Sequence, residues 1–139
     1  MALLAAVSNA ALAVARANAL SLGVDVTFLE SDWFAALDSG DTFDLVVSNP
    51  PYVASGDPHL EALRYEPELA LTDGADGLRC LSILIAGARR YLKPGGWLAL
   101  EHGYDQAAAV GERMVVAGFQ DVTVRRDAGG QARVTSGRA

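Results

Sequence analysis

Cysteine is almost absent from this chain. Cys80 stands alone among 139 residues, so no internal disulfide can form and a cysteine-rich metal site is excluded. Its neighbourhood is apolar and helix-like, which makes it a core residue. Long hydrophobic runs are missing too: no stretch approaches the roughly 20 apolar residues a bilayer span needs. The opening Met1 to Val7 is apolar but lacks the basic start of a secretory signal, so a cytoplasmic protein is expected. Positive charge is scarce. Eleven Lys and Arg against 17 Asp and Glu give a formal charge of −6. That balance disfavours extended contact with a phosphate backbone, which rewards clustered Lys and Arg. There is no internal repeat, low-complexity tract or linker, so residues 1–139 read as one domain.

What is present is an ordinary globular composition, 51% apolar and 20% charged, on a chain long enough to bury a core. Residues 9–22 are alanine-rich and suit a helix, with Ser8 or Asn9 as cap and Gly23 as stop. Val26 to Glu30 reads as a strand. Phe43 to Ser48 reads as a second, apolar enough for a sheet covered on both faces, and Pro50 and Pro51 end it. The segment from Val53 to Gly77 is long for a connection, which marks it as a functional loop. Leu78, Leu81, Ile85, Ala88 and Leu92 recur at helical spacing until Lys93-Pro94-Gly95-Gly96. Trp97 to Glu101 is a third strand and residues 106–117 a further helix. Strands at 122–126 and 132–135 flank Gly129-Gly130 as a hairpin. Strands alternating with helices predict an α/β, mostly parallel sheet with a C-terminal antiparallel hairpin. In such sheets ligands bind beyond the carboxyl ends of strands, which points to the residues just past Glu30, Ser48 and Glu101.

Asn49-Pro50-Pro51-Tyr52 comes directly after Ser48. An asparagine before proline is pushed towards extended backbone, and two prolines fix φ twice in succession. The Asn49 side chain and the Pro50 carbonyl thus become two rigid acceptors, matched to the two hydrogens of an NH2 group. Tyr52 adds a face for stacking a flat group. A segment of this kind can orient a planar amide or amine nitrogen towards an electrophile. The plain alternative is a Pro-Pro turn that merely ends the strand.

Asn49 to Tyr52 after a Phe-Asp-Leu-Val-Val strand resembles the class I methyltransferases acting on planar nitrogens. Asp32-Trp33-Phe34, Tyr65-Glu66-Pro67, Leu71, Asp76-Gly77-Leu78, Tyr91 to Trp97 and Glu101-His102-Gly103 narrow the likeness. From about Ala10 to Thr135 the pattern is similar to the release factor glutamine methyltransferase family. That resemblance implies a class I, Rossmann-like fold and S-adenosyl-L-methionine as cofactor. The implied substrate is a peptide-chain release factor, methylated at the amide nitrogen of the glutamine in its Gly-Gly-Gln loop. By position, Asn49 and Pro50 would be the catalytic pair binding that amide, with Pro51 and Tyr52 shaping the pocket. Asn49, Asp32 and Trp33 would contact the cofactor. Trp33 lies beside the adenine or in the core, and Asp32 either bonds the adenine or caps a turn. His102 supports the site by hydrogen bonding rather than by catalysis.

The resemblance also implies parts that are not here. No Gly-x-Gly precedes Asn49, and the acid expected to hold the ribose hydroxyls falls at about Ala6. The expected chain is therefore an N-terminally truncated one, lacking the first strand and glycine loop, and methylation by it as it stands is placed in doubt. Two other readings remain. One is a nucleic-acid N-methyltransferase acting on adenine or guanine, which the acids of 53–77 oppose. The other is a non-catalytic binding module derived from a methyltransferase.

Overall fold

Six strands and five helices succeed one another along the described part of the chain, residues 2–139 of a computed structural model. Strand β1 is Leu3–Ala6, helix α1 Asn9–Leu22, strand β2 Thr27–Glu30 and strand β3 Phe43–Ser48. Two short helices come next, α2 at His59–Ala62 and α3 at Glu68–Leu71. Then come α4 at Arg79–Tyr91, β4 at Leu92–Glu101, α5 at Ala107–Val116, β5 at Gln120–Arg126 and β6 at Ala132–Arg138. The chain divides into two compact units between Asp41 and Thr42.

The first unit is a β-α-β element. β1 and β2 pair in parallel from Leu3↔Thr27 to Ala6↔Glu30, and α1 is the crossover that a parallel pair requires. Ser8 caps α1: its Oγ accepts from the Ala11 amide at 3.2 Å. Gly23 ends it in the left-handed region at φ 64°, donating to the carbonyls of Ala19 and Leu20. Leu12 and Ala19 are buried, one face of α1, while Val14, Leu20 and Leu22 stay exposed. The residue pattern alone does not announce β1. Leu-Leu-Ala-Ala is too short to show a period, and only its pairing with β2 defines it.

The second unit is a mixed four-stranded sheet ordered β3-β4-β6-β5. β3 and β4 run parallel, whereas β6 is antiparallel to both β4 and β5. Its core comes from one face of α4 (Leu81, Leu84, Ile85, Ala88), from Leu98 and Leu100 of β4, and from Val110, Met114 and Phe119. α4 buries residues at i, i+3, i+4 and i+7 because three to four residues make a turn, and that face packs on the sheet.

Two expectations need correction here. β4 begins at Leu92, not at Trp97. Lys93 to Gly96 are carried inside the strand as a register shift between Phe43↔Leu92 and Leu45↔Trp97. The shift is held by Gly95, at φ 80°, donating to the Ala139 carbonyl, and by Ala139 donating to that of Gly96. Nor is β3 covered on both faces. Among the described residues it pairs with β4 alone, and Leu45 and Val47, which share a face, are 55% and 67% exposed. An apolar run reports what a strand can bury; the neighbours present decide what it does bury.

Candidate functional site

Parallel pairing puts the carboxyl ends of β3 and β4 side by side. Ser48 is in register with Leu100, so the residues after Ser48 leave the sheet next to Glu101. The two prolines stop the ladder there. Asn49 is exposed and Pro50 is buried. Among the described residues no hydrogen bond within the chain uses the Asn49 side chain or the Pro50 carbonyl. Neither acceptor is taken up within the chain, and both stand on a backbone with little room to move.

Tyr52 is fixed at both ends. Its phenol donates to Glu101 Oε1 at 3.2 Å. Burial, and then the Glu101 carboxylate beside it, push the phenol above its ordinary value, so it keeps its proton and stays a donor. At the other end the Tyr52 carbonyl accepts from Gln106 Nε2 at 2.9 Å. The same Nε2 donates to the Gly77 carbonyl at 3.3 Å, and Gln106 Oε1 accepts from the Gly103 amide at 2.7 Å. Carbonyls only accept and a backbone N–H only donates, so this set of partners allows one orientation of the Gln106 amide. Gln106 stands at the N-cap position of α5, and its side chain reaches back to the amide three residues earlier, in the turn that leads into the helix.

Residues 53–77 fold against this point. The Val53 amide donates to the Leu71 carbonyl at 2.9 Å, and Val53 pairs with Thr72. Asp73 holds the end of the segment together. Its Oδ1 accepts from the amides of Ala75 and Gly77, and its Oδ2 from that of Arg79. Burial works against its charge, but the three amides outweigh it and keep the carboxyl below the usual range. Gly77 sits at φ 79°, and a Cβ there would collide with the Tyr52 carbonyl oxygen. Only glycine allows these two backbones to approach so closely.

His102 is fully buried behind Glu101. Its Nδ1 donates to the Gly103 carbonyl at 2.8 Å, and its Nε2 pairs with Thr135 Oγ1 at 2.8 Å. With both nitrogens occupied inside the protein, the ring braces the junction of β4 and β6.

Asp32 and Trp33 lie in the first unit, just past β2. Asp32 is exposed and Trp33 half-buried, with Trp33 at φ 52°, a region bulky side chains rarely adopt. Ser31, not Asp32, holds this turn with its side chain. The buried Ser31 Oγ donates to the Trp33 carbonyl at 2.9 Å and accepts from the Ala36 amide at 3.0 Å. The structure therefore assembles Asn49, Pro50, Pro51 and Tyr52 with Glu101 in the second unit and places Asp32 and Trp33 on the first. The sequence alone does not single out Gln106 or Gly77. A glutamine three residues after Gly103, opening a helix, is the signal for the first; Gly77 stands in view only as part of Asp76-Gly77-Leu78.

Among the described residues no group of three His, Cys, Asp or Glu side chains could hold a metal, and no helix is long and apolar enough to cross a membrane. The model of the methyltransferase small domain matches residues 2–65. The release factor glutamine methyltransferase of Burkholderia pseudomallei is 53% identical over 94% of this chain and 49% of its own length. That of Xylella fastidiosa is 52% identical over 94% of this chain and 48% of its own. The chain thus spans about half the length of the curated relatives it matches. In shape it is similar to a methyltransferase from Pyrococcus furiosus, with a TM-score of 0.72 at 20% identity, over 98% of this chain and 61% of that one. The ribosomal protein L11 methylase of Lactobacillus delbrueckii subsp. bulgaricus gives 0.68 at 19%, over 97% and 55%. These two likenesses establish the fold, that of class I methyltransferases.

Proposed function

Since the chain belongs to the release factor glutamine methyltransferase family, we propose that its Asn49 to Tyr52 segment holds the side-chain amide of a release factor glutamine for methylation at nitrogen. The observation that carries this reading is the pair of unused acceptors, Asn49 Oδ1 and the Pro50 carbonyl, on a segment pinned through Tyr52. Two acceptors match the two hydrogens of a primary amide. Accepting both raises electron density on a nitrogen whose lone pair is otherwise drawn into its carbonyl. It also favours the transition state, in which positive charge develops on that nitrogen. The neutral Tyr52 ring beside them offers a face for the flat amide. The chemistry calls for no strong base in the chain, because the proton becomes acidic once the nitrogen is alkylated.

When bound, S-adenosyl-L-methionine would supply a methyl from a positively charged sulfur, which would keep the C–S electron pair; Asn49 and the Pro50 carbonyl would hold the accepting nitrogen, whose proton would leave to water. The residues present fit part of this cofactor. In the first unit Asp32 and Trp33 are the proposed adenine contacts. At the ribose end the side chain of Ala6, last in β1, has no group that could accept from hydroxyls. A release factor substrate would place the work in the cytoplasm.

The test is methyl transfer by the purified chain to a release factor, read by mass spectrometry of the Gly-Gly-Gln peptide. One added methyl on that glutamine, absent with Asn49→Ala, is the expected result. Methyl groups on nucleic acid, or on no substrate at all, would overturn the proposal.

A further inference from the structure

The geometry points to Gln106 as a positioning residue: its side-chain amide locks the backbone of the amide-holding segment to the end of the 53–77 loop and to the start of α5. The inference rests on the function proposed above and adds a residue that touches no substrate.

Three backbones meet at this one side chain. Nε2 spends its two hydrogens on the carbonyls of Tyr52 and Gly77, at 2.9 and 3.3 Å, and Oε1 accepts from Gly103 at 2.7 Å. Tyr52 is only two residues from Pro50, and the ring of Pro51 fixes the one φ between their carbonyls that belongs to a proline. A shift at the Tyr52 carbonyl is therefore passed in part to the Pro50 carbonyl. The phenol bond to Glu101 restrains the far end of the Tyr52 side chain but leaves its backbone free to rotate. Gln106 is the side chain that restrains that backbone. The bare α-carbon of Gly77 is what allows the second carbonyl to reach the same amide, since a Cβ there would strike the Tyr52 oxygen and approach Gln106 Nε2 to 2.8 Å.

The arrangement depends on the direction of the hydrogen bonds and not merely on filling space. Gln106→Glu keeps the shape and the acceptor for Gly103 but sets a carboxylate oxygen against two carbonyls. Gln106→Ala removes every contact. A packing role would leave Gln106→Glu close to wild type, whereas a positioning role makes it at least as harmful as Gln106→Ala near Tyr52.

Amide hydrogen exchange and heteronuclear NMR on the 139-residue chain separate these outcomes without requiring activity. In Gln106→Glu, exchange at Val53 and Gly77 is expected to quicken about tenfold, the scale of one lost hydrogen bond. The Asn49 side-chain resonances should move, while Gly103 and the β5–β6 hairpin stay as in wild type. Wild-type exchange at Val53 and Gly77 in Gln106→Glu, or loss of protection spread through the hairpin, would overturn the inference. Methyl transfer to a release factor is run beside it, with kcat expected to fall about tenfold and KM for the cofactor to hold. If the wild-type chain transfers no methyl, the proposed function falls, and the exchange pattern still decides the role of Gln106.

Discussion

Two strand ends carry the candidate chemistry, and they are built differently. After β2 the Ser31 hydroxyl makes both side-chain hydrogen bonds of the Ser31-Asp32-Trp33 turn, beside backbone bonds from the Ser31 amide to Ala6 and from the Ala35 amide to Asp32. After β3 the Asn49 to Tyr52 segment is held by two prolines and by Glu101 and Gln106, which grip opposite ends of Tyr52. The first unit also buries little, with Leu12 and Ala19 as its apolar core, whereas the second buries residues from α4, β4, α5 and β6. The difference teaches where preorganisation is concentrated. On the proposed function, a group that presents two acceptors at fixed spacing is restrained several times over, while a side chain proposed to stack on a ligand stands on a turn with fewer side-chain restraints.

The contrast can be broken hardest at Gly77. Gly77→Ala forces a left-handed backbone on alanine, which costs about 1–2 kcal/mol, and adds the collision with the Tyr52 carbonyl. We expect a lower thermal midpoint and rearranged Asn49 and Tyr52 resonances, with the Ser31 turn unmoved. A smaller change is expected from Ser31→Ala, about 1 kcal/mol for a hydrogen bond. It should loosen the positive-φ turn at Trp33 and alter the fluorescence of that residue, while Val53 and Gly77 keep their exchange protection. If Ser31→Ala disturbed both strand ends equally, the claim that they are separately restrained would fail.

The smallest effect expected is one of acidity. Asp73 is held below its ordinary value against its own burial by the amides of Ala75, Arg79 and Gly77. A carboxyl lowered on folding stabilises the native state fully above its unfolded value of about 3.9 and loses that contribution as pH falls through the folded value. Between about pH 5 and pH 2 the amides of Ala75, Gly77 and Arg79 should therefore lose protection. Asp73→Asn should remove this pH dependence, while the Ser31 turn should not share it.

Much of this is legible in the residues. Helix α1 and strand β3 fall at the residues that caps, glycine and proline mark, because those signals are local. The likeness to release factor glutamine methyltransferases, borne by short motifs spread along the chain, is matched by relatives above 50% identity. The features that are not legible depend on contacts distant in sequence. Gln106 reaches Tyr52 across 54 positions and Gly77 across 29, and no periodicity records such a pairing. β1 and the bulge inside β4 exist through their partners β2 and β3. The burial expected for Leu45 and Val47 fails because an apolar run records only a capacity for burial, and no element of the second unit covers the face these two residues share.

The central claim is that Asn49 and Pro50 accept from the amide of a glutamine. The most direct measurement titrates a release factor into the isotope-labelled chain, alongside the same factor with its loop glutamine changed to glutamate. The account predicts that the Asn49 side-chain and Tyr52 ring resonances shift with the glutamine factor alone, and that Asn49→Ala weakens its binding. Equal shifts with both factors, or none with either, would contradict it.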